Sequence, residues 1–115
     1  MQTEQIQQLA IDSLNDLKGI DLVTFDIRPL TTLADSMIIC SGSSSRHVKS
    51  LAENVVRMAK EKHLSYIRME GENEGEWIIV DLGDIIVHVM LPTTRTFYNL
   101  EDLWEPIKEL REQQK

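Results

Sequence analysis

Polar and apolar positions along this chain change period several times, and each change marks an element. Over residues 3–18, Ile6, Leu9, Ala10, Leu14 and Leu17 recur at three- and four-residue steps. That spacing predicts a helix, with Gly19 placed to cap its end. Residues 20–27, IDLVTFDI, alternate Val23, Phe25 and Ile27 against Thr24 and Asp26, which predicts a strand stopped by Pro29. The next segment, SMIIC at 36–40, is almost wholly apolar and reads as a central strand covered on both faces. SGSSSRHV then breaks the pattern and starts a helix, with Ser44 or Ser45 as N-cap and a stripe of Val48, Leu51, Ala52, Val55, Val56 and Ala59. SYIRM at 65–69 predicts a third strand, and EGENEGE at 70–76 an acidic, glycine-containing loop.

Residues 74–91, EGEWIIVDLGDIIVHVML, read as a hairpin turning at Gly83-Asp84. A two-residue turn sets Leu82 opposite Ile85, Val80 opposite Val87 and Ile78 opposite Val89, six aliphatic residues on one core face. The other face then carries Trp77, Ile79 and Asp81 on one strand, and Ile86, His88 and Met90 on the other. Large apolar groups where water is expected mark this face as a contact surface or as a second core.

After Pro92 the pattern predicts a polar turn at TTR and a short helical turn capped by Asn99, with Asp102 three residues later. Pro106 suits the first turn of a last helix, a C-terminal tail over 105–115. The order is helix, two strands, helix, three strands, helix, within one domain spanning 1–115. It predicts an α/β (α+β) fold: a mixed sheet of about five strands with helices packed on it.

Charge narrows the class of partner. Nineteen acids against twelve bases leave a net charge of −7, which argues against a dominant phosphate-binding role and fits a basic protein partner better. The single cysteine, Cys40, sits in an apolar strand and reads as a buried thiol with no disulfide or metal role. No secretory or transit pattern opens the chain and no uncharged run spans a bilayer, so a cytoplasmic protein is expected.

Catalytic patterns are weak. SGSSS lies at a strand-to-helix junction, where backbone N–H groups could hold an anion, but no Gly-Lys-Ser or Gly-Lys-Thr follows. Arg46 and His47 stand in the first helical turn, where cations oppose the dipole. Gly42-Ser43 also resembles the junction of nucleotidyltransferases, yet the paired aspartates their two-metal chemistry needs do not follow; Glu53 is the only acid nearby. Asp81, Asp84 and His88 share a hairpin and could bind a metal, but Asp84 suits the turn itself and Asp81 and His88 share a face without being directly opposed. Cys40 and His47 lack a third partner. Glu70, Glu72, Glu74 and Glu76 lack the spacing of a calcium loop. No catalytic residue, metal or cofactor is expected; an enzyme using Gly42-Ser43 is the alternative.

Three blocks taken together resemble the ribosomal silencing factor (RsfS, Iojap-like) family: LADSMIICSGSSSRHV at 33–48, GEWIIVDLGDIIVHVM at 75–90 and RTFYNLEDLW at 95–104. The resemblance covers roughly residues 3–105, the tail being its weaker part. It implies a nucleotidyltransferase-like fold without the catalytic carboxylates. It also implies a translational repressor that binds the large ribosomal subunit through protein uL14 and blocks joining of the small subunit when nutrients are scarce. A homodimer off the ribosome, a role in large-subunit biogenesis and a bacterial cytoplasmic setting belong to the same expectation. The family's uL14 surface is the sheet's exposed side, and Trp77 and Tyr98 are the positions carried over. Met90, His88, Ile79 and Arg95 are expected to flank them, with Arg95 exposed and Phe97 turned toward the core. Glu74 and Glu76 are expected to meet basic groups, a reading from charge alone. Gly42, Ser43, Arg46 and His47 form the signature at the junction.

Overall fold

In the computed structural model, residues 2–102 are described. The elements run α1 Thr3–Asp16, β1 Ile20–Asp26, β2 Ser36–Ser41, α2 Ser45–Glu61, β3 Arg68–Glu70, β4 Trp77–Asp81, β5 Ile85–Met90 and α3 Pro92–Tyr98. The strands form one sheet in the order β1-β2-β5-β4-β3. β2 and β5 at its centre run parallel; the other neighbours are antiparallel. This is the mixed α/β sheet with packed helices that the sequence pattern predicts.

Both long helices lie on one face. α1 gives Ile6, Leu9, Ala10 and Leu14, and α2 gives Val48, Leu51, Ala52, Val55 and Ala59, to one core with Ile38 and Cys40 of β2 and the six hairpin aliphatics. The hairpin register is the one its two-residue turn dictates: Ile78 pairs with Val89, Val80 with Val87, and the Leu82 N–H donates to Ile85 O at 2.9 Å. Asn54, buried on α2, donates to the Ser13 carbonyl of α1 at 2.8 Å, so a polar group in the helix interface is satisfied rather than stranded. The opposite face has its own cluster of Phe25, Ile27, Ala34, Met37, Ile39 and Met90, edged by Val23, Trp77, Ile86 and Leu100. β2 is thus covered on both faces, as its unbroken apolar run requires.

Helix ends explain several boundaries. Ser44 caps α2 by accepting from the His47 N–H at 3.1 Å. α1 closes in a Schellman arrangement, with Lys18 and not Gly19 in the left-handed position (φ 60°) and the Gly19 N–H on Leu14 O at 2.8 Å. One expectation changes: Pro92 opens a helix instead of a polar turn, its missing N–H costing nothing at N1. Asn99 ends that helix, left-handed at φ 49°, and also precedes a helical turn that resumes at Leu100, its side-chain N–H donating to Asp102 at 2.7 Å as the sequence pattern predicts. The third strand is also shorter than SYIRM implied, starting at Arg68 and leaving Tyr66 exposed. Pro106 and the expected tail helix at 105–115 lie outside the described residues.

Candidate functional site: an aromatic cluster beside an acidic loop

Trp77 opens β4 opposite Met90, and His88 stands diagonally across the ladder on the same face. The Trp77 Nε1–H donates to His88 Nδ1 at 2.9 Å. Since Nδ1 accepts, the ring proton of neutral His88 must sit on Nε2. His88 is only 7% exposed, and burial pushes its pKa down to about 4, so the ring is neutral at physiological pH. The indole is therefore held from beneath by a fixed acceptor. From α3, Tyr98 lies against it with ring centroids 4.8 Å apart, and Phe97 meets Tyr98 edge-on at 5.1 Å. Tyr98 is 54% and Phe97 80% exposed, so the cluster runs from a half-buried Trp77 to a fully presented Phe97.

Several expected contact residues lie elsewhere. Met90 is fully buried among Phe25, Met37 and Ile39, and His88 lies below the surface. Both support Trp77 and offer a partner little area. Ile79 is half-buried opposite His88. Arg95 is not exposed: its guanidinium binds Glu101 at 2.7 Å and Ser41 Oγ at 3.0 Å, tying α3 to β2. Phe97 is the reverse case, predicted in the core and found outside. Adjacent residues on a helix point in different directions, and with Tyr98 turned toward Trp77, Phe97 is left at the surface.

The acidic loop flanks the cluster and turns through two glycines with positive φ. Gly71 has φ +90°, and a Cβ there would come within 2.2 Å of the Trp77 carbonyl oxygen. Gly75, at φ +70°, leaves no room against Ser45 O and Lys49. A side chain at Gly71 would meet backbone and one at Gly75 would crowd Ser45 O at a positive φ, so glycine lets the loop lie on β4 at one end and on α2 at the other. The Leu91 N–H then bonds Glu76 O at 2.9 Å, linking loop to α3. Glu74 and Glu76 are exposed. Between the loop and α3 is a cleft of about 320 Å³ lined by Gly71, Asn73, Glu74, Glu76, Trp77, Thr94 and Tyr98.

The SGSSS junction is built as a structural joint. A Cβ on Gly42 would sit 2.8 Å from the Val48 nitrogen, so only glycine allows the turn into α2. His47 Nδ1 accepts the Ser43 N–H at 2.8 Å, and its Nε2–H donates to Leu17 O at 2.7 Å, pinning the end of α1 to the start of α2. His47→Ala is expected to lower stability by about 1–2 kcal/mol through these two bonds. Urea denaturation would show it, and an unchanged midpoint would remove the joint's energetic role. Arg46 is exposed. Cys40 is buried, its thiol pushed up to about 11 chiefly by desolvation. Asp81 accepts from the Gly83 N–H and Asp84 from Thr3, so the hairpin acids serve a turn and a helix start. Among the described residues no three His, Cys, Asp or Glu side chains are grouped to hold a metal ion, and no helix is long and apolar enough to cross a membrane.

A sequence model of the family described as "Ribosomal silencing factor during starvation" matches residues 1–115. The chain belongs to the ribosomal silencing factor family. A Chromobacterium violaceum protein named ribosomal silencing factor RsfS is 44% identical over 104 residues, covering 90% of this chain and 85% of the relative. A crystal structure of a protein from the same organism superposes with a TM-score of 0.89 at 44% identity, covering 91% of this chain and 88% of that one. A mouse protein named mitochondrial assembly of ribosomal large subunit protein 1 is 36% identical, covering 84% of this chain and 43% of its own length. Membership in the silencing factor family assigns a regulatory role in translation rather than a metabolic one.

Proposed function

We propose that this silencing factor binds the large ribosomal subunit through protein uL14 and sterically blocks joining of the small subunit, lowering translation when nutrients are limiting. The observation that carries the reading is the exposed aromatic cluster, Tyr98 and Phe97 stacked from a braced Trp77, next to an acidic loop on a chain of net charge −7. Aromatic anchors with a charged rim are what protein interfaces use, and acidic groups suit a basic ribosomal protein. The occluding role follows from placement on an intersubunit protein: a chain of this size seated there fills space the other subunit needs.

The setting is the bacterial cytoplasm, and off the ribosome the exposed Phe97 and Tyr98 would serve a second copy of the chain in a homodimer. Assistance to large-subunit assembly is a second reading, supported by the likeness to the mouse protein named for that role. The enzyme alternative at Gly42-Ser43 has less room, because the Ser43 N–H that an anion would need already bonds His47.

Sucrose-gradient sedimentation tests the proposal. Purified large subunits mixed with the protein should carry it down the gradient, and small subunits added afterwards should fail to give the joined-ribosome peak. A normal joined peak at saturating protein would sink the occlusion mechanism. Absence from the large-subunit fractions at micromolar protein would sink ribosome binding itself.

A further inference from the structure

The cleft between the acidic loop and α3 points to a more specific chemistry. We infer that it receives the guanidinium group of an arginine side chain from the basic partner; this rests on the aromatic surface being the partner-binding surface. Three features converge. First, neither Glu74 nor Glu76 has an ion-pair or side-chain hydrogen-bond partner among the described residues, so their charge is uncompensated. Second, the cleft wall is aromatic. Trp77 and Tyr98 line it with ring centroids 4.8 Å apart at 48°, and the indole N–H is already spent on His88. Third, the loop packs closely against its neighbours: Gly71 approaches the Trp77 carbonyl and Gly75 approaches Ser45 O, and the Gly75 N–H bonds Gly71 O at 3.3 Å.

These features discriminate among cations. A guanidinium is planar, stacks on aromatic rings, is weakly hydrated and donates in a fork that matches carboxylates. Asn73 and Thr94 add neutral oxygens at the rim of the same 320 Å³ cleft, acceptors for its remaining N–H groups. An ammonium is a compact, strongly hydrated charge and gains less from a flat aromatic wall. The proposed occupant is therefore arginine over lysine, and a phosphate backbone is repelled by the same carboxylates.

The test compares wild type, the double variant Glu74→Gln/Glu76→Gln and Trp77→Ala in binding to purified large ribosomal subunits at low and moderate salt. It is paired with NMR titration of each by acetyl-arginine-amide and by acetyl-lysine-amide. The glutamine substitutions are on an exposed loop and keep its glycines, so the fold is retained. Expected are a roughly 10-fold loss of subunit affinity in the double variant with a flattened salt dependence, and saturable shifts of the Trp77 indole and Tyr98 resonances with the arginine probe, lost in the double variant and weaker with the lysine probe. If Trp77→Ala weakens binding while the double variant binds like wild type with the same salt slope, the arginine cleft is overturned and the surface assignment stands. If no wild-type binding to the subunit occurs but the arginine shifts persist, the ribosomal reading fails and the cleft survives. Equal shifts from the two probes would overturn the preference for guanidinium.

Discussion

Trp77→Ala is expected to weaken binding to the large subunit about 30- to 1,000-fold, the ~2–4 kcal/mol range of an aromatic anchor at the centre of an interface. The size follows from what the indole organises. It is the support on which Tyr98 rests, and Phe97 rests in turn on Tyr98, so truncation removes one contact and loosens two more. Trp77 is only half-buried and edges the smaller core cluster, so the variant keeps the helix-side core intact. Co-sedimentation alongside circular dichroism distinguishes the outcomes: a folded variant that no longer travels with the subunit supports the anchor role. A variant that has lost its fold would reassign Trp77 to the core, and one that is folded and binds normally would place the partner on another surface.

Acid should destabilise the protein through His88. Its folded-state pKa of about 4 lies below the ordinary value of 6.5 because burial disfavours the charged ring. Between those values the unfolded chain binds more protons than the folded one, so stability rises with pH. The contribution is complete above about pH 7, falls as pH drops below the unfolded value of about 6.5, and is lost by about pH 4, a total near 3 kcal/mol at most. Charging the ring also places a proton on Nδ1, which removes the acceptor for the Trp77 N–H. His88→Gln supplies a carbonyl oxygen without titration and should flatten the pH dependence between 7 and 4. Urea midpoints measured across that range for both proteins give the answer; parallel curves would show that His88 does not carry the effect.

What the sequence made legible here was whatever depends on near neighbours. The two-residue turn at Gly83-Asp84 ties every hairpin pair together, so the partner of each residue from Trp77 to Met90 could be written down in advance and is the one found. The helical stripe of α2 and the capping serine at its start are equally local. Exposure on the second face was not local. Met90 and His88 sit on that face as expected, but Phe25 and Met37, from β1 and β2, and Leu100, beyond α3, cover it, and no periodicity within the hairpin encodes what lies above it. Arg95 failed for a similar reason, since its partners Ser41 and Glu101 lie on either side of it in the chain and meet only in the fold. Tyr98 is exposed as expected, whereas Phe97, assigned to the core, is exposed beside it. Gly42 and His47 were visible as a signature, whereas their work of joining α1 to α2 appears only when Leu17 is in place.

The parallel pairing at the centre of the sheet has a kinetic side. β1 with β2 and β4 with β5 are antiparallel pairs of strands consecutive along the chain, but β2 must find β5 across the whole of α2, β3 and β4. Pairing between such distant segments carries the loop-closure cost that slows folding, so this step is expected to limit the rate. Trp77, His88 and Tyr98 all lie in the last two-fifths of the chain, and β5 gains its central position only when it docks on β2. During synthesis, then, the aromatic surface cannot be assembled until the chain has emerged through Tyr98. A nascent copy that has not reached that point would have no completed face with which to engage a ribosome.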